Sequence, residues 1–214
     1  MFLYHGTDKY FTNPTYGIGN INNDFGLGFY LTENIELAKE WACKSTKNSV
    51  INKYELDMQE LNILNLMDDK YTILNWITIL VENRMPTGVS PIMLDGLEFL
   101  KSNYHINIDS YDIIRGYRAD DSYFSFARAF LRNEITIGQL SIAMNLGKLG
   151  EQIVLKSKKS FDKLKYIETI DVDYDKYYEK RIQRDTTAKK EYEEMLLAKA
   201  TDDKYIRDII KEKR

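Results

Sequence analysis

His5 stands just after the apolar run Phe2-Leu3-Tyr4 and is followed by Gly6-Thr7. An imidazole is donor, acceptor and base near neutral pH, and a neighbouring glycine lets a ligand approach the backbone. Taken alone, the same pattern also fits an ordinary surface histidine. His105, between two helical stretches with no pattern around it, reads as a surface residue. The glycines of Gly17-Ile18-Gly19 and Gly26-Leu27-Gly28 invite a phosphate-loop reading. They precede the strand-like Phe29-Tyr30-Leu31 instead of joining a strand to a helix, so neither a dinucleotide fingerprint nor a Walker loop fits. They predict a tight turn or a close backbone approach. Cys43 has Lys39 one turn before it and Lys44 beside it but no base nearby in sequence, which predicts a structural thiol. Asp120-Asp121 reads either as a carboxylate pair or as the acidic first turn of a helix. Arg115 and Arg118, just before it, are of the type that grips a phosphate with two parallel hydrogen bonds.

These groups sit in a chain of 214 residues that is 43% hydrophobic and 29% charged, with a net charge of -3. That apolar fraction supports a packed core, and the near balance of charge argues against disorder and against bulk attraction to nucleic acid. The single cysteine allows no intrachain disulfide. Two histidines, with no HExxH or CxxC spacing, give no zinc pattern, and no metal is expected. No apolar run approaches the roughly 20 residues of a membrane span. The N-terminus shows no basic region followed by an apolar stretch. A cytoplasmic protein without a membrane partner is therefore expected, with export by a signal-independent route left open.

Positioning elements follow from periodicity. Apolar or alternating runs predict strands over 2–4, 29–31, 50–56, 61–66, 152–155 and 166–172. Helices are predicted after Thr32-Glu33-Asn34, over 71–82, from Ser90-Pro91, in the second half of 109–135 and from the capping box Thr136-Ile137-Gly138-Gln139. From Lys176 onward the chain holds 12 Lys/Arg and 9 Asp/Glu with no Gly or Pro, which reads as one or two solvated helices. The expected organisation is a mixed α/β body over 1–175, with a mostly helical insertion at about 68–148, and a charged helical tail over 176–214.

Four segments taken together resemble the ADP-ribosyltransferase superfamily. They are Leu3-Tyr4-His5-Gly6-Thr7, the stretch from Phe25 to Thr32, Ala38-Lys39-Glu40-Trp41, and Glu151-Gln152-Ile153-Val154-Leu155. The pattern is similar to the branch named for a His-Tyr-Glu triad, which includes diphtheria toxin and the poly(ADP-ribose) polymerases. It is closest to an uncharacterised bacterial family of that branch whose third triad position is Glu, Asp or Gln. The block from Tyr117 to Phe124 also resembles that family. The resemblance implies an α+β fold with a split, twisted β-sheet. It implies that His5 bonds a ribose hydroxyl of NAD and that the Gly6 backbone pairs with the nicotinamide carboxamide, with Thr7 beside it. Tyr30, after Gly28-Phe29, would stack on the nicotinamide, and Trp41 would be the second stacking aromatic, where a tyrosine is usual. The third triad residue is Glu151 by one alignment and Gln152 by another. Neighbouring strand residues point to opposite faces, so only one of them can face the cofactor.

The chemistry explains why such groups are wanted. Breaking the nicotinamide–ribose bond develops positive charge on the ribose, as in glycoside hydrolysis. A carboxylate stabilises that charge and can serve as base, whereas a glutamine can only hold a hydroxyl. The expected function is mono-ADP-ribosylation: NAD as substrate, no metal, nicotinamide released, and ADP-ribose moved to a protein, nucleic-acid or small-molecule acceptor. Arg115, Arg118, Asp120 and Asp121 are the candidates for the acceptor surface. The family analogy suggests a bacterial or phage toxin, effector or defence protein, whose tail would meet an antitoxin or immunity partner or a second copy. The alternatives are an NAD glycohydrolase, a related RNA 2'-phosphotransferase, and an inactive NAD- or ADP-ribose-binding module.

Overall fold

A computed structural model describes residues 1–44, 48–84, 88–119, 121–146, 150–197 and 203–213, with the side chains of 121–123 excepted. The chain forms an α+β architecture of two sheets, each with its own group of helices packed against it. In order, the elements are β1 (Phe2–Thr7), β2 (Phe29–Leu31), α1 (Ile35–Ala42), β3 (Val50–Leu56), β4 (Ile63–Asn65), α2 (Ile73–Asn83), α3 (Pro91–Tyr104), β5 (Ile113–Tyr117), α4 (Asp121–Leu131), α5 (Ile137–Ala143), β6 (Glu151–Leu155), α6 (Lys158–Asp162), β7 (Leu164–Asp171), α7 (Tyr174–Leu197) and α8 (Ile206–Glu212).

The first sheet runs β1-β3-β7 and is antiparallel throughout. The second runs β2-β6-β5-β4, with β4 and β5 parallel. They meet at one bridge, where Tyr4 and Thr32 exchange backbone hydrogen bonds of 2.8 and 3.0 Å. The seam sets His5, one residue past Tyr4, close to Tyr30, two before Thr32.

Period-2 alternation sorts the strand residues among three hydrophobic clusters of the described residues, one of which joins Ile51 of β3 to Ala38 of α1 and Tyr177 of α7. Leu3, Phe29, Leu31, Tyr54, Leu56, Ile113, Ile153 and Leu155 fill the space between the sheets. Ile114 and Val154 point the other way, into the larger core built with α2–α5 and α8. Ile113 and Ile114 are thus buried on opposite faces. That explains a strand inside the stretch expected to be helical at about 68–148: β5 is a central strand, flanked by β6 and β4. Two β-branched residues suit such a doubly covered position.

The helix ends follow their predicted chemistry. Asn34 caps α1, accepting from Glu36 N and Leu37 N. Thr136 and Gln139 form the capping box of α5, and Pro91 opens α3 after Ser90. The charged tail folds as α7 and α8. Along α7 only Tyr177 and Ala188 are buried, but Ile206 of α8 is fully buried in the larger core. Asp203 accepts hydrogen bonds from Thr136 Oγ1 and Gly138 N, at 2.5 and 2.8 Å, at the start of α5. None of the described helices is long and apolar enough to cross a membrane.

Candidate functional site

A cleft of about 630 Å³ opens at the seam of the two sheets. His5 and Gly6 of β1, Gly28, Phe29 and Tyr30 at β2, Trp41 of α1, Arg118 after β5 and Gln152 of β6 all line it. Its volume lies within the roughly 300–1,000 Å³ usual for small-molecule sites.

His5 is half-buried, with its ring 4.6 Å from that of Phe29. Nδ1 lies 2.8 Å from the Tyr30 carbonyl oxygen. A carbonyl only accepts, so Nδ1 carries the proton and Nε2 is left as an acceptor. Burial lowers the pKa below the ordinary histidine value; the Tyr30 carbonyl raises it and Lys44 lowers it further. The imidazole is neutral at pH 7 and offers one lone pair.

Tyr30 is tied to the loop before it. Its hydroxyl donates to Gly26 O at 2.6 Å and accepts from Phe25 N at 3.1 Å. Burial drives its pKa far above the usual phenol value, so it is no base. Its contribution is a fixed ring on the cleft wall. Across the loop, the buried Asn52 of β3 holds the chain at two points: Nδ2 donates to Lys9 O and Oδ1 accepts from Phe11 N, at 2.9 and 3.2 Å.

Strand alternation decides between the two candidates on β6. Gln152 is 3% exposed and faces the cleft. Glu151 turns outward and pairs with Arg115 at 2.5 Å. Arg115 also pairs with Glu33 at 3.1 Å. Neither Glu151 nor Arg115 lines the cleft, so of the two β6 candidates Gln152 is the one on its wall. Thr7 is also absent from the wall; its hydroxyl points to Asp8 at 3.4 Å. Asp120 lies outside the described residues. Asp121 begins α4, in keeping with an acid in a first turn, and only its backbone is described.

The amide of Gln152 has one orientation. Nε2 donates to Asp24 Oδ2 at 3.0 Å and to Tyr117 O at 3.1 Å. Both partners are acceptors, so both amide hydrogens are used there, and Oε1 remains as the acceptor offered to the cleft. Asp24 had no signal in the sequence beyond lying in a Gly- and Asn-rich loop. It is 6% exposed, and it accepts from Ala119 N at 2.8 Å and Arg84 Nη1 at 3.0 Å as well as from Gln152. Burial raises its pKa above the ordinary aspartate value, while the Ala119 amide, Gln152 and Arg84 pull it back down. Arg84, at the end of α2, also lies over the Phe124 ring at 4.8 Å.

Two of the glycines on the wall also approach the rest of the protein closely. A Cβ at Gly6 would stand 2.0 Å from Ala38 O, and one at Gly28 would stand 2.5 Å from Val154 Cγ1 and 2.9 Å from Leu155 O. Their close approach is to the protein itself, to α1 and β6. Trp41 is also differently engaged. Arg118 stacks over its ring at 4.1 Å from the centroid, so one face of the indole is already covered by a guanidinium. Cys43 is fully buried, as expected of a structural thiol.

Four cations, Lys44, Arg84, Arg118 and Arg181, and one carboxylate, Asp24, line the cleft. A positive cleft in a chain of net charge -3 selects anionic ligands. Its acceptors, His5 Nε2 and Gln152 Oε1, suit ligand hydroxyls. The chemistry on offer is the binding of an anionic, hydroxylated, partly aromatic molecule.

Comparison with curated proteins gives no match, and comparison with solved structures gives none. A family model described as "Protein of unknown function (DUF3990)" matches residues 1–166, a span that contains every cleft residue named above except Arg181, and the chain belongs to that family.

Proposed function

We propose that this chain is a mono-ADP-ribosyltransferase of the His-Tyr-Glu type with glutamine at the third position, using NAD as substrate. The observation that carries the reading is the presence of His5, Tyr30 and Gln152, far apart in sequence, on the wall of one cleft. The resemblance of the short segments around them supplies the reaction.

The donor set fits the dinucleotide. His5 Nε2 accepts from one ribose hydroxyl and Gln152 Oε1 from another. The Tyr30 ring packs against the nicotinamide, and the cations take the diphosphate. In the reaction, the bond between ribose C1' and the nicotinamide nitrogen breaks, and its electron pair stays with the nicotinamide. The acceptor's lone pair forms the new bond to C1', and the acceptor's proton passes to solvent or to a base on the acceptor.

Gln152 brings no charge of its own to the developing cation. Asp24 lies directly behind its amide, 3.0 Å from Nε2. A carboxylate at that end polarises the amide and makes Oε1 a stronger acceptor. Asp24 is thus a positioning residue that acts through Gln152. Because His5 Nε2 is committed to a ribose hydroxyl and Asp24 to its hydrogen bonds, no other base stands in the cleft among the described residues, and we infer an acceptor that is itself a good nucleophile or carries its own base.

Incubation with NAD tests the reading by nicotinamide release and by transfer of label from the adenylate portion. Release with label on a macromolecule is the expected outcome. Release of free ADP-ribose alone would mark a glycohydrolase. Binding without release would mark an inactive module, and no binding would remove NAD from the account.

A further inference from the structure

The tail enters the cleft. Along α7, Arg184 pairs with Glu40 at 2.5 Å, with both side chains largely buried, and the Tyr177 hydroxyl donates to Glu36 Oε2 at 2.9 Å. These contacts lay α7 along α1. They bring Arg181 to the cleft mouth, where Nη1 donates to the Cys43 carbonyl at 3.0 Å. Arg181 is 30% exposed; its Nε lies 3.9 Å from the Asp185 carboxylate, and its Nη2 makes no hydrogen bond among the described residues. Lys44 follows Cys43 directly, and Arg118 covers Trp41 on the same wall. The indole Nε1 of Trp41 is buried and meets no acceptor among the described residues. Three cations and one unmet N–H donor thus gather beside a cleft whose carboxylate, Asp24, is already paired with Arg84.

We propose that Arg181, delivered by the tail helix, contacts the ligand and completes with Lys44 and Arg118 an anion-binding rim for the diphosphate of a nucleotide. The rim rests on the NAD reading for the identity of the whole ligand, but not for the chemistry of the anion. A guanidinium anchored through Nη1 to a backbone carbonyl and steadied at Nε by Asp185 is held in place with Nη2 turned to meet phosphate oxygens. Arg181 lies beyond the 1–166 family match. The body therefore carries the hydroxyl-binding wall, and the tail sets the affinity for the charged portion of the ligand. Docking of α7 and ligand binding are then coupled: whatever lifts α7 from α1 weakens the nucleotide by the same factor.

The test is calorimetric titration of the full chain with NAD, ADP and adenosine, comparing wild type with Arg181→Gln. A merely structural role would weaken ADP and adenosine alike, so the ratio of the two affinities is the readout. The expected result is an ADP affinity lowered about tenfold to a hundredfold, the range of a charged hydrogen bond, with adenosine unchanged and a weaker dependence of ADP binding on salt. Arg181→Met keeps the aliphatic stem and reads the same ratio should the glutamine variant melt early. An unchanged ADP-to-adenosine ratio overturns the rim while wild-type NAD binding stands. Arg181-dependent ADP binding without NAD binding keeps the rim and removes the transferase. No binding of ADP by the wild type overturns both.

Discussion

Two Arg–carboxylate clusters meet opposite faces of β6, through Glu151 and Gln152, and they differ in burial. Outside, Arg115 bridges Glu151 and Glu33, with all three side chains more than a third exposed. Inside, Arg84, Asp24 and Gln152 form a chain of hydrogen bonds with Asp24 at 6% exposure. The residue types are nearly the same. Water screens the outer cluster, so it contributes little. In the inner cluster Asp24 and Gln152 are buried and Arg84 keeps little exposure, so removing Asp24 takes a charged acceptor from donors that water replaces poorly. The comparison also explains why position 152 carries an amide. A glutamate at 152 would set two carboxylates about 3 Å apart in a buried site, where one of them must hold a proton.

The largest effect should come from Asp24→Ala. Arg84 would lose a buried carboxylate, and Ala119 N and Gln152 Nε2 would lose an acceptor, at a cost of roughly 3–5 kcal/mol. For a chain of this size that is a fall in Tm of roughly 6–20 °C. A calorimetric melt within 2 °C of wild type would show the inner cluster to be as dispensable as the outer one.

Gln152→Ala should act on chemistry more than on fold. It removes the cleft-facing acceptor and should lower nicotinamide release about a hundredfold, as loss of one positioned polar group commonly does, with a change in stability of about 1–3 kcal/mol. Retention of full turnover would exclude the amide from the reaction. Gln152→Glu sharpens the point. It should be more stable at pH 5 than at pH 8, the reverse of an isolated surface glutamate, because the paired carboxylates share a proton in acid.

The pH dependence of NAD binding should reflect His5. Its folded pKa is depressed, so the unfolded chain binds the proton first as pH falls. The contribution of His5 to stability is complete above about pH 6.5 and is lost as pH drops through the folded value. Binding through Nε2 should likewise be level from pH 8 down to about 6.5 and weaken only in acid. A binding curve with a midpoint at or above 7 would contradict a neutral, buried imidazole.

The smallest effect belongs to the outer face. Glu151→Ala should cost less than about 1 kcal/mol and leave nicotinamide release within twofold of wild type. A loss comparable to that of Gln152→Ala would reverse the assignment of the two faces.

His5, Tyr30 and the pair 151–152 were legible because short motifs mark them, and alternation says that one member of a strand pair faces in. It does not say which one; only the register of β6 against β5, with Gln152 opposite Gly116, supplies that. Asp24 was silent because nothing local distinguishes one acid in a Gly- and Asn-rich loop. Its partners lie 60, 95 and 128 positions away. The strand at Ile113–Tyr117 hid in a region read as helical, since five residues containing Arg and Gly carry little periodicity. Arg181 was hidden for the opposite reason. The tail reads as a solvated face, and along most of its length α7 is one, so the single side chain that reaches the cleft leaves no pattern. Gly6 and Gly28 were legible as sites of close approach, but the protein neighbours they approach, α1 and β6, were not, because a sequence does not distinguish a ligand from a helix.

The central claim is that the imidazole of His5, the ring of Tyr30 and the amide of Gln152 jointly hold NAD. Its most direct test is titration calorimetry of NAD into wild type and into His5→Ala at pH 7.5, with folding of the variant checked by its melt. The account predicts one site per chain in the wild type and an affinity at least about tenfold weaker in the variant, the loss of about one hydrogen bond in the cleft. No heat with the wild type, or equal affinity in a folded variant, would contradict it.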